Sequence, residues 1–132
     1  MPVTGIDHVQ LAAPEGCEAA AREFFGGLLG LQEIPKAEGV RGTGGAWFRC
    51  GAQELHVGVQ AGGFVPAAKA HPGLTVAGAG ELERLAARLG EAGHPVSWDA
   101  RIAGVRRFYT ADPWGNRIEL RSAAVARPTR PG

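Results

Sequence analysis

The sequence has few of the features that mark secreted, membrane-embedded or disulfide-stabilised proteins. It contains two cysteines in 132 residues, Cys17 and Cys50, without CxxC spacing, so free thiols in a reducing compartment are expected. No apolar run approaches the ~20 residues that span a membrane, and the first residues have neither the basic region nor the apolar core of a signal peptide. These absences predict a cytoplasmic protein with no membrane partner.

The sequence also has no large excess of positive or negative charge. The formal net charge is +1 and the arginines are scattered along the chain, which gives no basic surface of the kind that nucleic-acid binding needs. With 45% hydrophobic and 20% charged residues, the composition is that of an ordinary globular protein with one domain. We therefore expect a small-molecule ligand and not a nucleic acid.

The most informative stretch runs from Arg106 to Leu120. Residues 106–110 are aromatic and β-prone, residues 112–116 read Asp-Pro-Trp-Gly-Asn, and residues 117–120 resume a strand, so the stretch predicts a β-hairpin. Because strand side chains alternate, Ile118 and Leu120 share one face, and Glu119 lies on the other with its neighbours at 117 and 121. Glu119 would be solvated on an outer face, but inside a concave sheet it would need a cation or a proton.

An internal repeat favours the concave alternative. His8 and His71 are 71 − 8 = 63 residues apart, and His56 and Glu119 are 119 − 56 = 63 residues apart. Polar residues that can bind a metal therefore share one period. The two halves of the chain are interpreted as copies of one structural plan.

Each half is predicted to run strand, helix, then further strands. The first half has a strand at 4–12, a helix at 15–29 and a hairpin formed by 46–50 and 53–59; the second has a strand at 71–76, a helix at 81–92 and the hairpin described above. These give modules at 4–60 and 69–122, a linker at 61–68 and a mobile tail at 123–132, all in one domain. Because a module of about 60 residues is marginal alone, we expect a homodimer in which the modules pair either within one chain or between two chains.

The strand histidines and Glu119 form a candidate metal site. His8, His56, His71 and Glu119 would offer three imidazoles and a carboxylate, a set that suits Zn²⁺, Fe²⁺, Mn²⁺, Co²⁺ or Ni²⁺. Glu54 lies two residues before His56 on the same strand face, so either residue is a candidate for the fourth position. The repeat favours His56. His94 lies in a Gly-His-Pro turn and is interpreted as structural.

These residues resemble the glyoxalase/bleomycin-resistance/dioxygenase proteins, the vicinal oxygen chelate superfamily. The resemblance covers residues 4–122 and is carried by Ile6-Asp7-His8-Val9, Ala21-Arg22-Glu23-Phe24-Phe25, Leu28-Leu29-Gly30-Leu31, Lys69-Ala70-His71-Pro72 and Phe108-Tyr109 followed by 112–120. It implies an α+β fold in which two βαβββ modules form curved mixed sheets around a cavity. It also implies metal ligands at His8, His56 or Glu54, His71 and Glu119.

The resemblance implies two classes of function. In the first, a divalent metal grips vicinal oxygens of a small substrate in a lyase, isomerase, thiol transferase or dioxygenase reaction, with Glu54 and Glu119 as catalytic carboxylates. Arg107, Tyr109 and Gln10 are then the expected substrate-binding residues. In the second, the chain is a metal-free protein that binds a drug or metabolite in an apolar cavity. Aromatic residues available for that cavity are Trp47, Phe48, Trp98, Phe108 and Trp114.

Overall fold

A computed structural model describes residues 2–122 and confirms the predicted α+β fold. Eight strands form two four-stranded mixed sheets, each accompanied by a helix. The predicted tail at 123–132 lies outside the described residues. By contacts, the described residues divide into a first unit, residues 2–68 with 112–116, and a second unit, residues 69–111 with 117–122. No helix in the described part of the chain is long and apolar enough to cross a membrane.

The sheet of the first unit has the order β1-β4-β3-β2. Its strands are β1 (His8–Ala13), β2 (Gln32–Ile34), β3 (Ala46–Cys50) and β4 (Gln53–Val59), and its first helix is α1 (Glu18–Ala21). β1 and β4 are parallel, whereas β3 is antiparallel to both of its neighbours. A 3₁₀ helix covers Glu38–Thr43 between β2 and β3.

The sheet of the second unit has the matching order β5-β8-β7-β6. It consists of β5 (Gly73–Val76), β6 (Ser97–Asp99), β7 (Arg107–Ala111) and β8 (Arg117–Ser122), with helix α2 (Ala79–Glu91). The repeat extends to strand register: His8 pairs with Glu54 in the first unit and Gly73 with Glu119 in the second, a separation of 46 residues in both. The 63-residue period therefore reflects two sheets with the same pairing.

Alternation along the strands gives each sheet one apolar and one polar face. In the first unit, Phe48 and Leu55 are buried together with Phe24 and Phe25 of the helical segment. In the second unit the buried apolar side chains are Leu82, Leu85, Leu89, Phe108, Ile118 and Leu120. Phe48 and Phe108, which the sequence offered as lining for a cavity, belong to these cores; their rings pack against Phe25 and Trp98, with centroids 5.7 Å and 5.0 Å apart. The candidate site residues occupy the other faces.

Three elements differ from the sequence predictions. β1 begins at His8 and not at residue 4, and residues 2–7 are exposed. The first helix is α-helical for one turn and continues as a π-helical segment, Arg22–Leu28, which contains Gly26 and Gly27, two residues that stabilise α-helix poorly. β5 begins at Gly73, because Pro72 has no N–H to donate, so His71 precedes the strand.

Candidate functional site

His56 lies in a stack of aromatic rings on the polar face of the first sheet. Its imidazole is parallel to the Trp47 indole, with centroids 3.8 Å apart, and the His8 ring covers its other side at 4.2 Å. The strand register explains this placement, because Trp47 is the β3 partner of His56 and Gln10, two residues after His8, is its β1 partner. His56 is only 3% exposed, so its position is fixed by packing.

Glu54 and His56 form a hydrogen-bonded pair. Glu54 Oε1 lies 2.9 Å from His56 Nε2, and its second oxygen lies 3.7 Å from an Arg49 nitrogen. The Glu54 side chain retains 25% exposure, whereas the His56 ring is enclosed. The two candidates for a fourth metal ligand are therefore coupled, since a change at one alters the hydrogen bonding of the other.

Gln10 lies beside this pair and crosses β4 at Gly58. A Cβ atom at Gly58 would come within 2.6 Å of Gln10 Nε2, so a larger residue there would displace the Gln10 amide. His8 hydrogen bonds through Nδ1 to the carboxylate of Asp7 at 2.9 Å. Because a carboxylate oxygen accepts, Nδ1 is the donor and the Nε2 atom of His8 is left for another partner.

His71 and Glu119 are brought together on the polar face of the second unit. His71 Nε2 lies 3.2 Å from Glu119 Oε1, and His71 Nδ1 lies 2.9 Å from the Lys69 carbonyl oxygen. A carbonyl can only accept, so Nδ1 carries a proton and Nε2 faces a carboxylate. That contact is favourable only when a proton or a cation lies between the two atoms.

Glu119 is buried on this face. It is 5% exposed, and its Oε2 atom has no hydrogen bond, with the nearest cation, Arg121, at 3.6 Å. The solvated alternative considered from the sequence does not apply. A buried carboxylate oxygen without a hydrogen bond is costly and is a natural position for a bound cation.

Arg107 holds Glu119 from a second direction. It is 9% exposed and donates through Nη1 to Glu119 Oε1 at 3.3 Å and through Nη2 to Asp99 at 3.1 Å. Burial acts to lower the pKa of Arg107, but the two carboxylates outweigh it and leave that pKa raised. The Arg101 side chain and backbone N–H, together with Arg107, hold the pKa of Asp99 well below its usual range.

Sequence reasoning missed the roles of Asp99, Arg101, Arg117 and Trp47. Asp99 is the last residue of β6 and pairs with Arg107 of β7. The available signal was alternation, which places Asp99 on the face of Ser97 and, across the strand pair, of Tyr109. Arg117 was placed on the face of Glu119, but its contact with Tyr109 depends on a cross-strand rotamer.

Tyr109 is surrounded by cationic side chains. The Arg117 guanidinium lies 4.0 Å from the centroid of its ring, that of Arg107 lies 5.5 Å away, and His71 approaches edge-on at 5.3 Å. His94, in contrast, hydrogen bonds through Nδ1 to the Ala111 carbonyl at 2.9 Å, which agrees with a structural role.

Each unit thus contributes an imidazole next to a carboxylate. Nitrogen and oxygen donors of this kind suit divalent first-row metals. The first unit offers the Nε2 of His8, and the second unit offers the Nε2 of His71 and the unpartnered oxygen of Glu119. Within residues 2–122, no cluster of three or more His, Cys, Asp or Glu side chains has the arrangement of a complete metal site. The donor chemistry fits a metal, while the full set of ligands stays a prediction.

No protein-family model matches the sequence, and no curated protein does. Among solved structures, a glyoxalase family protein from Bacillus anthracis is 46% identical, with a TM-score of 0.83, and the match covers 91% of this chain and 95% of that one. Lactoylglutathione lyase from Agrobacterium tumefaciens is 22% identical over 93% and 96% of the two chains, with a TM-score of 0.70. A fosfomycin resistance protein from Listeria monocytogenes is 15% identical over the same shares, with a TM-score of 0.71.

The two more distant structures share the fold. The similarity to the Bacillus anthracis protein extends over nearly the full length of both chains. Its sequence identity of 46% is high enough to establish common family membership. This chain therefore belongs to the glyoxalase/bleomycin-resistance/dioxygenase family.

Proposed function

We propose that the protein is a divalent-metal-dependent enzyme that acts on a small substrate with vicinal oxygens, in a reaction of the lyase or isomerase, thiol transferase or dioxygenase type. The observation that supports this proposal is the contact between His71 Nε2 and Glu119 Oε1, which lie 3.2 Å apart. The other nitrogen of the same ring, Nδ1, is hydrogen bonded to the Lys69 carbonyl. A hydrogen bond from Nδ1 to a carbonyl fixes the orientation of the imidazole and makes Nε2 the nitrogen that can bind a metal.

The proposed ligands are His8, His71 and Glu119, with His56 or Glu54 in the fourth position, supplied within one chain or by two. Zn²⁺, Fe²⁺, Mn²⁺, Co²⁺ and Ni²⁺ all suit this set. A bound metal would supply Lewis acidity that stabilises negative charge on the substrate oxygens.

The chain's own residues would bind the substrate and move its proton. Glu54 is the candidate base where His56 is the ligand, because its carboxylate is partly exposed and its hydrogen bond to His56 Nε2 fixes its orientation. Glu119 is the second candidate catalytic carboxylate. Gln10, Arg107 and Tyr109 lie on the two polar faces and would orient the substrate.

A metal-free binding protein is the second candidate, and one observation favours it. Arg107 already compensates Glu119 with a buried guanidinium, so the carboxylate does not depend on an ion for its charge balance. A protein that binds a drug or metabolite would retain this ion pair and would use the polar faces for recognition alone.

Metal analysis separates the two candidates. Protein purified without chelator is analysed for metals, then reconstituted with each of the five ions and titrated by calorimetry. The enzyme proposal expects one ion per site in the parent, loss of binding in Glu119→Gln and His71→Ala, and unchanged binding in Glu83→Gln, an exposed control. Absence of binding for all five ions would refute it.

A substrate panel then tests the reaction. Hydroxy thiohemiacetals, catechols, epoxides and acyl-CoA epimers are assayed with each metal and with His8→Ala. Turnover that is lost in His8→Ala supports the enzyme. Tight ligand binding that survives His8→Ala, without turnover of any compound, supports the binding protein.

We also propose that the protein is a homodimer in the cytoplasm. A repeat unit of about 60 residues buries a limited share of its surface, which favours association, and both cysteines are free, as a reducing compartment requires. Light scattering that shows a stable monomer at micromolar concentration would contradict the dimer. Fractionation of the tagged protein outside the cytoplasm would contradict the location.

A further inference from the structure

Arg117 differs from the other arginines on the polar face of the second unit because it has no carboxylate partner within residues 2–122. Its guanidinium lies over the Tyr109 ring at 4.0 Å, and the side chain is half-buried. Among the described residues, Asp99 pairs with Arg101 and Arg107, and Glu119 pairs with Arg107 and Arg121. The N–H donors along the edge of Arg117 are left without an acidic acceptor.

The charges on this face do not balance. Of the described residues, four guanidiniums and two carboxylates take part in the contacts of this face: Arg101, Arg107, Arg117 and Arg121, with Asp99 and Glu119. The pKa of Arg101 is raised above its usual value, mainly by Asp99 and also by Tyr109, so this cation belongs to the same cluster. The excess of positive charge favours binding of an anion next to Arg117, the guanidinium without a carboxylate partner in the described part of the chain.

A second stacked arginine in the same unit provides a comparison. Arg106 lies over the Trp98 ring at 3.9 Å, nearly the distance between Arg117 and Tyr109, but it also donates through Nε to Glu83 at 3.2 Å. Stacking therefore fixes the plane of both guanidiniums, and only Arg106 has an internal acceptor for its donors. A fixed guanidinium with free donors is suited to bidentate binding of an oxyanion.

We propose that Arg117, held against Tyr109, is an anion-binding subsite that takes a carboxylate or phosphate group of the small-molecule ligand. This inference rests on the proposed function in one respect, namely that the polar face of the second unit binds the ligand. It requires no metal, since stacking and charge hold the guanidinium in place. It also narrows the substrate class to anionic compounds with vicinal oxygens.

The chain contains one tyrosine, so Tyr109 is a unique reporter at this position. Protein labelled with ¹³C-tyrosine is stripped of metal with EDTA and desalted to remove the chelator. It is then titrated with inorganic phosphate and, separately, with acetate, against sodium chloride at equal ionic strength. We expect the ring signals to shift saturably with the oxyanions and not with chloride. Arg117→Gln should weaken the binding by about tenfold or more, as expected for a lost charge-assisted pair, and Arg106→Gln should leave it unchanged.

Arg117→Lys keeps the charge and the fold but not the planar fork, so it should weaken binding less than Arg117→Gln. A titration without saturation, equal binding by Arg117→Gln, or binding by Arg117→Lys as tight as in the parent would each overturn the assignment. Because the titrated protein is free of metal, a chain that binds no metal can still pass this test and a metalloenzyme can fail it. The two proposals therefore fail separately.

Discussion

Arg107 Nη1 donates to Glu119 Oε1 at 3.3 Å, and both side chains are buried. An internal cation therefore lies next to the carboxylate that the family resemblance assigns to a metal. The guanidinium and a metal would compete for the negative charge of Glu119, because each reduces the electrostatic gain from the other. Whether Arg107 raises or lowers the affinity of the site for a metal can therefore be measured.

Arg107→Met is expected to raise metal affinity about tenfold, since it removes a buried positive charge from the carboxylate, and a factor of ten corresponds to about 1.4 kcal/mol. Calorimetry with Zn²⁺ or Ni²⁺ measures the change. Arg106→Met, an arginine paired with Glu83, is the matched control and should leave affinity as it is. A fall in affinity in Arg107→Met would mean that Arg107 positions Glu119 for the ion.

Asp99 should contribute to stability in a manner that depends on pH. Arg101 and Arg107 lower the pKa of Asp99 in the folded protein, so its stabilising effect is present above its unfolded pKa of about 4 and is lost as pH falls through the folded value. Asp99→Asn should therefore destabilise the protein more at about pH 6 than at about pH 3. Urea unfolding at both pH values gives the difference, and an equal effect at both would contradict the ion-pair account.

Gly45 should not tolerate a side chain. It has φ of +83°, and a Cβ atom there would collide with the Val57 carbonyl oxygen. Gly51 also has positive φ, +61°, but nothing lies within 4 Å of the position of its Cβ. Gly51→Ala should cost about 1–2 kcal/mol from backbone conformation alone, whereas Gly45→Ala should cost clearly more. Thermal unfolding of both variants measures the excess, and equal losses would show that the close contact relaxes.

The turn at residues 112–116 should depend on Asn116. Its side-chain nitrogen donates to Asp112 at 2.8 Å and to the Ala12 carbonyl at 2.8 Å, and all of this lies in the first unit. Asn116→Ala leaves two acceptors unpaired, at a cost of about 2–4 kcal/mol. Pro113→Ala, at an exposed position of the same turn, should cost less than about 1 kcal/mol. Denaturant unfolding compares them, and a small effect of Asn116→Ala would indicate that water replaces its hydrogen bonds.

The repeat, the strand faces and the central hairpins could all be predicted from the order of the amino acids. The segments 46–50 and 53–59 were predicted with the bounds of β3 and β4, because alternation and turn residues are local signals. The same alternation placed Ile118 and Leu120 in the core and Glu119 opposite. The 63-residue period predicted two copies of one structural plan, and the structure adds that the two sheets also share one strand register.

The partners of the polar groups, in contrast, could not be predicted from the sequence and are seen only in the folded protein. His56 lies between Trp47 and His8 with Nε2 at Glu54, and Arg107 joins Glu119 to Asp99. These contacts join residues from different strands, and they depend on register and on rotamers that no local pattern specifies. A buried charge takes whichever partner the neighbouring strands bring within reach, because leaving it unpaired is costly. The pairing of buried charges is therefore a property of the folded sheets, while the periodicity that forms those sheets is a property of the sequence.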